Sequence, residues 1–330
     1  MNHSRFLVSL ALVTAAAATA ACSVASNDAE ADGAGASSAA INLATTNYLA
    51  LGDSVPFGMN PLLLPTATNP ALPTEDQFVG YPEVLARLVA PLRDANLACP
   101  GETSSSFLLP LSSFDPASPL PFDRGCHLVK AAGILHVPYV ESQLARAMSF
   151  LSTHPQTKLV TLTVGGNDMG LVADICKAQV EAGVAAGQVP YTQAAAAVAQ
   201  CVGAALPQAL GTLQANVARI LSGVRGTGYK GELMAVTYYS LNYNQPAGTD
   251  LLKLANDVLA GTAAGFGAKV ADGYAAFKVA SGPAGDPCAA GLLIRLPTPA
   301  GAPISCDVHP SPTGREVLGA AVRAAMAKHI

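Results

Sequence analysis

Three short apolar runs, each emptying into a turn of small or polar residues, constrain the fold most. "INLATTNYLALGDS" ends at Gly52, Asp53 and Ser54; "TKLVTLTVGGND" ends at Gly165, Gly166, Asn167 and Asp168; "GELMAVTYYS" gives the third. Continuous apolar runs of this length, bounded by turn residues, read as strands buried on both faces. Between them stand helical patterns: "YPEVLARLVAPL", "YVESQLARAMSFLSTH", the Ala-rich "YTQAAAAVAQCVGAALPQALGTLQANVARILSGVRG", "TDLLKLANDVLAGTAAGFG" and "SPTGREVLGAAVRAAMAKHI". Pro207 is expected to break or kink the long one. Shorter strands are expected in "ANLAC" and "AKVADGY". Strands alternating with helices imply a parallel sheet covered on both faces, an α/β sandwich. Ligands bind such sheets beyond the carboxyl ends of the strands, and two of the three clear strands end there in polar motifs.

The 330 residues are 51% hydrophobic and 12% charged, a composition that supports a sizeable core. The N-terminus reads as an export signal over residues 1–21, with Arg5 ahead of the apolar run "FLVSLALVTAAAA", which is short for a bilayer span. Residues 22–43 are small and polar, the composition of a flexible tether, and 44–330 form a single domain. Arg5 is the only charged residue of the signal. The other 17 of the 18 basic residues, against 22 acidic ones, give a net charge near −5. That leaves no basic stripe to neutralise phosphates, so nucleic acid is not expected as a partner. The chain is expected to act as an exported monomer.

Six of the seven cysteines fall in the domain, and their spacing suggests neighbouring pairs: Cys99 with Cys126, Cys176 with Cys201, Cys288 with Cys306. Each pair would close a loop of roughly 20 to 30 residues and stabilise by ~3 kcal/mol on the chain-entropy model. No two of them have the short spacing of a zinc knuckle, so no metal is expected. Cys22 follows small residues at the end of the signal, as at a bacterial lipoprotein cleavage site where the thiol is acylated and anchors the protein to a membrane. Thr19, however, stands where such sites usually carry Leu. The other reading is cleavage after Ala20 and free secretion.

Four residues stand at places where chemistry could occur. Ser54, in "LGDSVPFG", can project a hydroxyl from a tight turn, although a helix cap is the commoner meaning of such a serine. The chain has no Gly-x-Ser-x-Gly elbow. Gly101, in "ANLACPGETSSSFL", can bring a backbone N–H close to a reacting oxygen, which Pro100 cannot. Asn167 can donate a side-chain hydrogen bond to a developing oxyanion, a contribution of ~2.7–4 kcal/mol in a transition state. His309, in "ISCDVHPSPTGREVLG", is the one histidine set in a motif and suits a general base for a serine. Two Pro- and Ser-rich segments, "VPFGMNPLLLPTATNPALPTEDQFVG" and "ETSSSFLLPLSSFDPASPLPFDRGCH", are expected to wall a substrate groove with apolar side chains.

Together, and in this order, these blocks resemble the SGNH hydrolases, also called GDSL esterases, over about residues 46 to 328. "GETSSSFL", "SQLARAMSFLSTHPQTKLVTLTVGGND" and "GYKGELMAVTYYS" further look like the secreted bacterial esterases of that family, which often carry three disulfides. The resemblance implies a flavodoxin-like three-layer α/β/α sandwich with a central parallel sheet. It also implies a carboxylesterase or lipase working through an acyl-enzyme on Ser54. His309 would be the base, Ser54, Gly101 and Asn167 the oxyanion hole, and a small-molecule or lipid ester the substrate, with no cofactor. The family usually places Asp three residues before the His, where this chain has Cys306; Asp307 lies two before. Either Asp307 or a main-chain carbonyl, as in some relatives, would then orient the imidazole. Phospholipases and carbohydrate deacetylases share the fold, and a surface lipoprotein that binds lipid without catalysis is the alternative from another class.

Overall fold

A computed structural model describes residues 47–65, 71–113, 121–245, 250–298 and 302–326. The signal, the tether and Cys22 lie outside the described residues. Residues 41–330 form one compact unit. Its strands are β1 Tyr48–Gly52, β2 Asp94–Asn96, β3 Leu159–Thr163, β4 Glu232–Val236, β5 Lys269–Ala271, β6 Leu293–Arg295 and β7 Cys306–Pro310. Its helices are α1 Ser54–Phe57, α2 Tyr81–Leu88, α3 Pro121–Ala132, α4 Gln143–Thr153, α5 Gly166–Ala185, α6 Ala194–Gly226, α7 Leu251–Ala264, α8 Gly273–Ala280 and α9 Pro312–Ala325.

The first five strands make one parallel sheet in the order β2-β1-β3-β4-β5. Side chains alternate between the faces of a strand, and the two cores follow that period of two. Leu49, Leu51, Val160 and Leu162 face α4, α6 and α7 through residues such as Phe150, Val217 and Leu259. Tyr48, Ala50, Met234 and Val236 face α2, α8 and α9 through Tyr81, Phe277 and Leu318. The result is the three-layer α/β/α sandwich of the SGNH hydrolase fold. The strand order reverses between β1 and β3, and the crevice beyond such a switch point is where ligands bind. Both strands end there in the polar motifs.

Three local features depart from the sequence expectations. Pro207 lies within α6 and does not end it. The hydrogen bond it cannot donate leaves the carbonyl of Gly203 unpaired in an exposed part of the helix, where water can satisfy it. The segment after Asn167, with no clean apolar stripe, forms the 20-residue α5. "CDVHP", not among the expected strands, is β7, paired antiparallel with β6 in a two-stranded ribbon of irregular register. Ser311, one residue beyond, caps α9 by accepting a hydrogen bond from the Gly314 N–H at 3.2 Å.

The expected cysteine pairs are all bonded: Cys99–Cys126, Cys176–Cys201 and Cys288–Cys306. Among the described residues, Tyr191–Gly226 is long and apolar enough to cross a membrane by length and composition. Its second half packs on the core through Leu213, Val217, Ile220 and Leu221, whereas the apolar 18-residue stretch that meets that test is not buried.

Candidate active site

The site begins with a glycine. Gly52 holds φ +136°, and a Cβ there would lie 2.1 Å from the Thr163 carbonyl oxygen, so no other residue lets β1 close this tightly on β3 before turning. Asp53, not Ser54, is the cap of the following helix: its Oδ1 accepts from the Val55 N–H at 2.9 Å. Ser54 is therefore the first helical residue, and its hydroxyl is not spent on capping.

Asp53 is buried, and its Oδ2 accepts from the Tyr238 hydroxyl at 2.5 Å. Burial pushes its carboxyl up to about 6, partly offset by the hydrogen bonds from Tyr238 and Val55 and by the nearby His309.

Asn167 lies in the first turn of α5, after the positive-φ Gly165. Its Nδ2 donates to the Glu102 carbonyl at 2.9 Å, with Asp53 Oδ2 at 3.5 Å. Gly101 sits at φ +78° in a Cys99-Pro100-Gly101-Glu102 turn closed by the Glu102 N–H on the Cys99 carbonyl at 3.1 Å, the residue order of a type II turn. Asp168 ties this loop to α5 by accepting from the Ser104 N–H at 2.8 Å and the Ser104 hydroxyl at 2.5 Å.

On the other side, His309 Nδ1 contacts Asp307 Oδ1, which also accepts from the His309 backbone N–H at 3.0 Å. The two-residue spacing works locally: β7 is irregular here, with four residue steps from Cys306 to Pro310 facing two from Leu293 to Arg295, and Asp307 folds onto both the backbone N–H and the ring of His309 two residues on. Burial raises the Asp307 carboxyl, but the hydrogen bonds and charge of His309 outweigh it and hold the group below the usual carboxylate range. Tyr239 donates to the Val308 carbonyl at 2.5 Å, and Arg315 Nε donates to the Pro310 carbonyl at 3.1 Å. Both bonds pin the backbone that carries the imidazole, and the Cys288–Cys306 disulfide enters one residue before Asp307.

Ser54, Asn167 and His309 line one cavity of about 450 Å³, together with Asp53 and Tyr238. Its apolar wall comes from Met169 and Ala173 of α5, Leu241, Leu251 and Leu252 around the start of α7, and Val308. Among the described residues, the two Pro- and Ser-rich segments contribute only Val55. Three of their described phenylalanines turn inward instead: Phe57 packs on Phe78 with ring centroids 4.9 Å apart, and Phe107 is fully buried. The expectation that they wall the groove is corrected accordingly. Cys99, Glu102 and Cys126 cluster closely enough to suggest metal ligands, but both sulfurs are in a disulfide.

A model of the GDSL-like lipase/acylhydrolase family matches residues 50–317, a span that starts within β1 and ends in α9 and so contains both halves of this cavity. The chain belongs to that family. No curated protein matches the chain. Among solved structures, this GDSL hydrolase is similar to phospholipase A1 from Streptomyces albidoflavus NA297, at 19% identity over 84% of this chain and 98% of that one, with a TM-score of 0.45. It is similar to an extracellular lipase from Streptomyces rimosus at 18% identity, 85% and 100% coverage and a TM-score of 0.48. An acetyl xylan esterase from Geobacillus stearothermophilus shows 15% identity, 87% and 97% coverage and a TM-score of 0.45.

The sequence reading missed Asp53, Glu102, Gln143 and Tyr238 as parts of the site. "GDS" and "CPGE" did carry a signal, since an acidic residue flanking a buried strand-end glycine must find a partner when it is desolvated.

Proposed function

We propose that the chain is an exported serine carboxylesterase or lipase that hydrolyses esters of acyl chains through an acyl-enzyme on Ser54. The observation that carries this reading is the convergence of Ser54, Asn167 and His309 on one mainly apolar cavity. Asp307 at Nδ1 makes that nitrogen the donor and leaves Nε2 as the base. Ser54 Oγ attacks the ester carbonyl carbon while its proton passes to Nε2. The electron pair displaced onto the carbonyl oxygen is met by the N–H groups of Ser54 and Gly101 and by Asn167 Nδ2. One Asn167 amide hydrogen is held by the Glu102 carbonyl at 2.9 Å, and the other, on Asp53 Oδ2 at a long 3.5 Å, is the one that turns to the oxyanion. Collapse of the intermediate expels the alcohol, protonated by His309. Water then attacks the acyl-enzyme with His309 again as base, releasing the acid and restoring Ser54.

The cavity volume falls in the range of small-ligand pockets and exceeds what an acetyl group fills, which favours longer acyl chains over deacetylation. The contact of Asp307 with His309 supports catalysis over a non-catalytic lipid-binding role. Three disulfides fit an oxidising compartment outside the cytoplasm, and the mass of the mature N-terminus distinguishes an acylated Cys22 from free secretion.

A p-nitrophenyl ester series from acetate to palmitate, run on the mature protein beside Ser54→Ala, tests the reading. Turnover by the wild type alone, higher for medium chains than for acetate, is expected. No turnover, or equal turnover by both proteins, would overturn it.

A further inference from the structure

Beyond the residues that touch the ester, one buried pair links every part of the nucleophile side. β2 ends at Asn96, and the chain beyond it stays beside β1 through the Leu97 N–H, which donates to the Ala50 carbonyl at 2.9 Å. The Gly52 carbonyl still accepts from the Cys99 N–H at 2.9 Å, but the opposite carbonyl, that of Leu97, is taken by the Tyr139 hydroxyl. The strand partner that Gly52 lacks is supplied by Gln143, the first residue of α4. Its Oε1 accepts from the Gly52 N–H at 2.6 Å, and its Nε2 donates to the Gly52 carbonyl at 2.9 Å. The second hydrogen on Nε2 goes to Glu102 Oε2 at 2.9 Å. Glu102 Oε1 accepts from the Ser106 hydroxyl at 2.5 Å, and the Glu102 carbonyl holds Asn167. Glu102 and Gln143 are both fully buried, so no water substitutes for a lost partner.

We infer that Glu102 and Gln143 are positioning residues that hold the Gly52-Asp53-Ser54 turn, the Gly101 loop and Asn167 in one register. Glu102 is the joint: its side chain reaches the nucleophile turn through Gln143, its main chain aims the oxyanion amide, and it directly follows Gly101. The inference rests on the ester-hydrolase reading. A merely structural role would cost stability and leave turnover by the folded protein intact. A positioning role shows in kcat, because displacing reacting groups by about 1 Å costs on the order of 10²-fold.

The test measures kcat and KM separately on a soluble p-nitrophenyl ester for the wild type, Glu102→Ala and Glu102→Gln, each checked for three intact disulfides and native circular dichroism. Glu102→Ala is expected to lose roughly 10- to 100-fold in kcat with KM within about twofold, and Glu102→Gln, which keeps an acceptor of the same shape, to recover most of it. A folded Glu102→Ala with wild-type kcat, or with a loss confined to KM, would overturn the inference. Should Glu102→Ala not fold, Ser106→Ala, which releases one carboxylate oxygen, decides: a several-fold fall in kcat supports positioning, and unchanged kcat overturns it. An inactive wild type would instead sink the ester-hydrolase reading itself, so the two failures are distinct.

Discussion

Ser54 and Asn167 stand at the ends of two paired central strands, whereas Asp307 and His309 stand on a two-stranded ribbon outside the main sheet. On the first side every supporting group is buried: Gly52 against Thr163, Gln143 in place of a strand, and Glu102 and Asp53 in desolvated pockets. On the second side the carboxylate and imidazole are half-buried and are held by Tyr239, Arg315 and the Cys288–Cys306 disulfide. The nucleophile side is thus part of the core and can move only with it. The histidine side is attached by a few discrete bonds that can be cut one at a time.

The largest effect expected from this division is that of Ser54→Ala, a loss of roughly 10⁴-fold or more in kcat with folding unchanged, read from esterase rates and thermal melts. Asp307→Ala should cost roughly 10² to 10⁴-fold. The loss should fall below that of Ser54→Ala, because a partly exposed histidine keeps water as a substitute partner. Asn167→Ala should lower kcat by about 10² to 10³ at unchanged KM, the size of a lost oxyanion donor. An Asn167→Ala effect on KM alone would remove Asn167 from the oxyanion hole.

The two sides should also respond to pH with opposite signs. Burial raises Asp53 to about 6 and Glu102 to about 7, so over the interval from their unfolded values up to these the native state binds more protons than the unfolded chain. Their contribution to stability is greatest at low pH and is lost as pH rises through 6 to 7. Asp307 is shifted downward, so its contribution is present above its unfolded value and is lost as pH falls through the folded one. Melting temperature should therefore peak on the acidic side of neutrality, and Glu102→Gln should flatten the fall between pH 5 and 7 while leaving the acid limb in place. A Glu102→Gln melting profile parallel to that of the wild type would refute the assignment.

The smallest expected effect sharpens the comparison most. A Cys288→Ser, Cys306→Ser double variant opens a loop with a sequence separation of 18 and should cost ~3 kcal/mol of stability on the chain-entropy model. It should also lower kcat several-fold, by loosening the strand that bears Asp307 and His309. Unchanged turnover beside a lowered melting temperature would mean that Tyr239 and Arg315 hold the ribbon without the bridge.

How much of this was legible in the sequence follows from the range of the interactions. The strands, Ser54, Asn167 and His309 are written in local runs and motifs. Gln143 reaches Gly52 across 91 positions and Tyr238 reaches Asp53 across 185, and no local pattern encodes either contact. The position of Asp307 looked displaced by one residue because the family usually places its Asp three residues before the His, where this chain has Cys306. The irregular register of β7 is what lets a carboxylate two residues before His309 reach both its backbone N–H and its ring. Leu and Phe in the Pro-rich segments suggested groove walls, since composition alone does not tell an apolar residue that lines a cavity from one that fills the core.

The most direct test of the site is covalent. A p-nitrophenyl alkylphosphonate should react once per chain, placing its mass on the peptide that contains Ser54, and His309→Ala should slow that labelling markedly in folded protein. Labelling of another residue, or none by a folded wild type, would contradict Ser54 as the nucleophile and His309 as its base.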